Sequence, residues 1–204
     1  MSFSDYNKAL RRGEKSYQEH LMRGSYPYLQ VLEEILSHTD TVSEVPLGLV
    51  QIPIDLIVGT YAVGRRTAFA PNFMPLLNPG TEFAYKWASL CDSHLSEGIR
   101  DPIKAYEFMN RFYVVEGNKR VSVLKYFDAV TIPGIVTRII PKRTDEKENK
   151  IYYEFLDFYK ITNINYIWFS NEGGFAKLLQ FVSPDSSSAW TEQQKEDFRS
   201  CYYR

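Results

Sequence analysis

The run Glu116-Gly117-Asn118-Lys119-Arg120 has the make-up of an anion site. Gly117 permits a tight turn, because it has no Cβ to bar a left-handed backbone. A helix beginning there presents unpaired backbone N–H groups, and Lys119 and Arg120 add full positive charge. Phosphate is the ligand that suits such a turn. The surrounding segment, residues 98–125, sets Arg100, Lys104, Arg111, Lys119, Arg120 and Lys125 against Asp101, Glu107 and Glu116. Six positive and three negative residues give a local charge of +3. The bland alternative is a plain strand-to-helix turn with solvent-facing cations, since the run matches no general phosphate-loop motif.

Other chemistry is poorly served. Cys91 and His94 stand three apart on one expected helix. A zinc site takes about four ligands, and no partner cluster accompanies these two. His20 and His38 are isolated, and the chain has no GxSxG, Walker loop, GxGxxG or HExxH pattern. Two cysteines, Cys91 and Cys201, make no disulfide framework.

The elements around the run can be read from periodicity. Pro102 to Phe108 alternates like a strand, Met109-Asn110 looks like a turn, and Arg111 to Val115 returns, so 103–115 is a hairpin. Lys119 to Phe127 places Val121 and Leu124 at helical offsets, and Ile132 to Ile140 is a further strand. Upstream, Glu82 to Ser96 is the clearest helix, with Thr81 as its cap and Gly98 as its stop. Leu47 to Ile54 is strand-like, with Pro53 marking an edge or an end. It leads through Asp55–Gly59 into a loop, Thr60 to Ala70, that bears Arg65 and Arg66. At the N-terminus two helices are expected, one capped by Ser4 and ended by Gly24, with Gly13 weakening its middle. The other runs from Pro27, giving a helical hairpin over 4–38, followed by a polar linker, HTDTVSEVP. After a charged loop, Pro141 to Lys150, come an aromatic helix at 151–160, a short strand or buried extended piece at Tyr166–Phe169 and a helix at 175–182. Pro184–Ser188 reads as a linker, and a last helix runs from Thr191 to Arg204.

With 204 residues, 44% hydrophobic and 24% charged, the chain can bury a real core and is not of disordered composition. Lys+Arg of 24 against Asp+Glu of 25 excludes a wholly basic nucleic-acid glove but leaves room for a local basic site. There is no apolar signal core at the N-terminus and no membrane-length apolar run, so a cytoplasmic location is expected. Aromatics reach 15%, which fits either an aromatic core or a stacking and docking face.

The order of these pieces resembles the ParB/sulfiredoxin-like superfamily over about residues 45–140. The matching features are the strand at Leu49–Ile54, the arginine loop Gly64-Arg65-Arg66, the Gly98-Ile99-Arg100-Asp101-Pro102-Ile103 entry, and the Gly-x-x-Arg box at Gly117–Arg120 between strand and helix. The YPYL, VPLG, EGIRDPIK and EGNKR stretches also look like the ParB-like N-terminal regions of longer bacterial proteins. The fold so implied is α+β: a small mixed sheet with packed helices, an N-terminal helical hairpin and a helical C-terminal extension. The expected division is a helical hairpin at 1–44, a ParB/sulfiredoxin-like core at 45–141, and an aromatic-rich extension at 142–204. The last helix ends without a cap, which fits a chain cut from a longer one with a further domain downstream.

The resemblance implies a site for the phosphates of CTP or ATP with magnesium. Gly117, Asn118, Lys119 and Arg120 would hold phosphate, Arg65 or Arg66 would reach it from the first loop, and Glu116 would position magnesium or water as the candidate catalytic group. The chain departs from the ParB box in having Asn118 where an acidic residue is usual, and no ParB-type helix-turn-helix follows. It lacks the cysteine that sulfiredoxin chemistry needs in the box. The expected function is a nucleotide-phosphate-binding regulatory or switch domain. The alternatives are a magnesium-dependent triphosphatase, kinase-like or nuclease-like enzyme, and a scaffold with a decayed site whose partners are DNA or a second copy of the chain.

Overall fold

The structure, a computed structural model, describes residues 3–182 and 188–202. The chain divides into two compact units, 1–140 and 141–204.

In the first unit the chain forms α1 (Phe3–Met22), β1 (Gln30–Val31), α2 (Leu32–Leu36), β2 (Thr41–Pro53), β3 (Ile57–Thr60), α3 (Glu82–Glu97), β4 (Ile103–Phe108), β5 (Arg111–Glu116), α4 (Asn118–Tyr126) and β6 (Thr131–Pro141). The six strands make one sheet in the order β1-β3-β5-β4-β6-β2. β1 with β3, β3 with β5, and β4 with β6 run parallel, while β4 and β5 are antiparallel. This is the α+β arrangement expected from the resemblance.

The β4–β5 hairpin forms for a local reason. Met109 and Asn110 have φ of 52° and 57°, the left-handed pair that matches the twist of two adjacent strands. Asn110 N donates to Glu107 Oε1 at 2.6 Å. Glu107, fully buried, is also ion-paired with Arg138 of β6, so this carboxylate within a strand is compensated rather than exposed.

Period-two alternation puts Ile103, Ala105, Phe112, Val114, Ile132 and Val136 on one face of the sheet. There they pack with Val121 and Leu124 of α4 and with Phe69 and Phe73. Phe108, Tyr113 and Ile139 face the other way and meet Leu32. A separate cluster joins three helices: Tyr6, Ala9 and Leu10 of α1, Ala84, Trp87 and Cys91 of α3, and Val123 and Tyr126 of α4. Gly13 is required inside α1 because a Cβ there would meet Met74 O at 3.2 Å and the Pro75 carbonyl.

Several expectations need correction. The second N-terminal helix is only Leu32–Leu36, and β1 takes the place of its expected start by pairing with β3. Ser4 lies inside α1 rather than capping it. The supposed linker HTDTVSEVP is mostly strand, since β2 starts at Thr41. Its polar residues are tolerated because β2 is an edge strand, largely exposed on both faces. Ile57–Thr60, read as a lead into a loop, is an internal strand between β1 and β5. The arginine loop itself is a short 3-10 turn, Val63–Ala68.

The second unit holds α5 (Lys147–Thr162), α6 (Gly174–Val182) and α7 (Glu192–Tyr202). Phe175 is its hub, with the rings of Phe169 at 4.8 Å, Phe158 at 5.1 Å and Phe155 at 5.8 Å. The C-terminal aromatics therefore serve largely as core. α5 begins at Lys147, four residues before the expected Ile151. Buried Asn149 explains the early start: it accepts from Thr144 N at 2.9 Å and donates to Lys142 O at 3.0 Å, tying the charged loop to the helix. Tyr166–Phe169 forms no regular element. Residues 184–187 of the expected linker, and 203–204 at the end of the last helix, lie outside the described residues. Among the described residues, no helix is long and apolar enough to cross a membrane.

Candidate functional site

The site forms where β5 ends and α4 begins. Gly117 has φ of 110°, in the region that favours glycine, and a Cβ there would stand 2.6 Å from Ile103 Cγ2. Two constraints, conformation and space, thus fix glycine at this turn. Val121 N bonds to Gly117 O at 3.0 Å, so the helix begins directly behind it. The first N–H groups of α4 have no helical partner by construction.

This start is braced against α3. Trp87 Nε1 donates to Ser122 Oγ at 2.8 Å within the buried contact between the two helices. Thr81 caps α3 by accepting from Ala84 N at 3.2 Å, and Gly98 ends it with φ of 79°. A cleft of about 440 Å³ opens between these elements. Among the described residues its lining includes Arg65, Lys86, Lys119 and Arg120 as cations, Glu116 as the single carboxylate, and an apolar wall of Phe69, Phe83 and Leu90.

The four cations are not equivalent. Lys119 sits with Nζ 4.8 Å from the centre of the Phe83 ring. Burial, with Arg65 and Lys86 nearby, lowers its pKa below the ordinary lysine value, against a smaller opposing effect of Glu82. Neither Lys119 nor Arg65 has an ion-pair partner among the described residues. Lys86 is paired with Glu82 at 2.5 Å. Arg120 Nη1 donates to Asp101 O at 3.0 Å and to Pro102 O at 2.6 Å, so this guanidinium ties α4 to the entry of β4.

The remaining sequence candidates are placed as follows. Arg66 is bonded to Glu34 at 2.5 Å and lies over the Tyr26 ring at 5.9 Å, so the two adjacent arginines of the loop are held differently. Asn118 is buried and donates to Thr60 Oγ1 at 3.4 Å, while its Oδ1 has no hydrogen-bond partner among the described residues. Glu116 is exposed, with Oε2 2.8 Å from Lys104 Nζ and Oε1 3.8 Å from Arg120 Nη2. Hydrogen bonding to Lys104, its charge and that of Arg120 hold the Glu116 carboxyl below the usual value. The positive charge of segment 98–125 is thus dispersed: Lys104 goes to Glu116, and Lys125 lies over Phe73 at 5.3 Å. Arg65 and Lys86 join the cleft from outside that segment. Lys86 was not singled out from the sequence, where it is one more polar residue on an amphipathic helix.

A second cleft of about 460 Å³ adjoins the first and shares Leu90 and Arg120 with it. Ser93, Glu97, Arg100 and Asp101 are among its other residues.

Among the described residues, no ready-made cage of carboxylates for magnesium stands here. Both oxygens of Glu116 already face cations. Among the described residues, no group of three or more His, Cys, Asp or Glu stands together. Cys91 and His94 offer nothing either. Burial pushes the Cys91 thiol up to about 11, and His94 Nδ1 accepts from Ile99 N at 3.4 Å.

No protein-family model matches the chain, and no curated protein matches it. Among solved structures it is similar to a crystal structure of sulfiredoxin from Arabidopsis thaliana. The identity is 19% and the TM-score 0.30, over 43% of this chain and 82% of that one.

Proposed function

We propose that the first unit is a nucleotide-phosphate-binding regulatory or switch domain of the ParB-like kind, with phosphates seated in the cleft at the start of α4. One observation carries the reading: Lys119 and Arg65, both without ion-pair partners among the described residues, line a cleft into which a glycine turn opens a helix N-terminus. Burial and the charges of Arg65 and Lys86 disfavour the charged form of Lys119, Glu82 offsets part of this, and a phosphate in the cleft would offset more. The wall of Phe69, Phe83 and Leu90 beside those charges suits a ligand with an apolar, stackable part as well as phosphate, which a nucleoside triphosphate has. Gly117, Asn118, Lys119 and Arg120 form the phosphate end in this reading, with Arg65 reaching in. The domain works in the cytoplasm as one part of a larger bacterial protein.

The test is thermal unfolding against CTP, ATP, GTP and UTP, each with and without magnesium. A ligand of the native state raises the midpoint with concentration. An unchanged midpoint with every nucleotide would overturn the proposal.

A further inference from the structure

We infer that Glu116 is an internal counter-ion of this cleft, a carboxylate seated at the cationic rim that a polyphosphate ligand must displace. The inference rests on the phosphate-binding reading above.

Three features of the geometry support it. Among the described residues Glu116 is the single carboxylate lining the cleft, and its two oxygens face Arg120 Nη2 at 3.8 Å and Lys104 Nζ at 2.8 Å. A carboxylate oxygen in front of a guanidinium presents the same chemistry as a phosphate oxygen, so the two compete for one position.

The second feature is an asymmetry of restraint. The side chains of Glu116 and Lys104 are 59% and 60% exposed, and such a pair is weak and screened by salt. Arg120 is only 18% exposed and is anchored by the carbonyls of Asp101 and Pro102. The cation is fixed, and the anion in front of it is free to swing into water.

The third feature concerns what Glu116 can do while it stays. Both of its oxygens are engaged by cations, and its lowered pKa makes it a poor proton acceptor. Its effect is then electrostatic. It opposes an anion entering the cleft until that anion's contacts with the cations outweigh it.

The experiment is calorimetric titration of inorganic tripolyphosphate and of CTP into wild-type protein and Glu116→Gln. The side chain is exposed, so the variant keeps its fold, which an unchanged unfolding midpoint verifies. The expected result is binding about three- to tenfold tighter in Glu116→Gln, from removal of one like charge beside the ligand. Binding in Glu116→Gln where the wild type shows none overturns the inference, because the ligand then does not displace the carboxylate. Wild-type binding that is unchanged or weakened by Glu116→Gln overturns the inference and leaves phosphate binding standing. Absence of binding in both proteins overturns the two together.

Discussion

Arg120 Nη1 lies 2.6 Å from the carbonyl oxygen of Pro102, and this bond joins the first turn of α4 to the residue that precedes β4. An arginine expected from the sequence to meet phosphate thus has a structural task as well. It holds the glycine turn against the neighbouring strand, and its second bond to Asp101 O strengthens the hold.

Replacing Arg120 with alanine should therefore destabilise the protein whether or not ligand is present. Charge-assisted bonds to two carbonyls set the scale at about 1–3 kcal/mol. Urea unfolding of Arg120→Ala without nucleotide checks this. A wild-type midpoint would show that the guanidinium serves only ligand binding.

Gly117→Ala combines an unfavourable backbone conformation with a close contact to Ile103 Cγ2. A cost of at least about 1–2 kcal/mol is expected from the left-handed backbone alone. Equilibrium unfolding measures it, and an alanine variant as stable as the wild type would mean that the turn is not held as described.

Ser122→Ala leaves the Trp87 indole N–H buried without its acceptor, at a cost of about 1–3 kcal/mol. The change lies on the buried side of α4, so it should lower stability without altering the cations of the cleft. It makes a control that separates loss of fold from loss of binding. Denaturant unfolding beside a nucleotide titration reads both quantities.

Stability at high pH should reflect the buried tyrosines. Burial pushes Tyr6 and Tyr113 up to about 12 from an ordinary 10. A group whose pKa is raised on folding contributes stability that is present in full below its unfolded value and lost as pH rises through its folded value. Stability should hold to about pH 10 and fall between 10 and 12. Tyr113→Phe should flatten that fall, and denaturant midpoints across this range test it.

Much of the framework around this candidate cleft lay open in the sequence because its causes are local. The β4–β5 hairpin follows from alternation and a two-residue turn, α3 from Thr81 and Gly98 at its ends, and the start of α4 from Gly117. What stayed hidden depends on distant partners. β1 is two residues long and exists through its pairing with β3, and β3 is too short to show a pattern. The first part of β2 looked like a linker because an exposed edge strand carries no apolar face. The fates of Arg65 and Arg66 are indistinguishable by type. Glu34, thirty-two residues away, pairs with Arg66, and Arg65 is left at the cleft.

The most direct test of the account is calorimetric titration of CTP and ATP into the wild type and Lys119→Met. Methionine keeps much of the lysine's bulk against Phe83 and removes only the charge. The account predicts saturable one-site binding of at least one nucleotide by the wild type, weakened about tenfold or more in Lys119→Met. Equal affinity in the two proteins, or no binding of either nucleotide by the wild type, would contradict it.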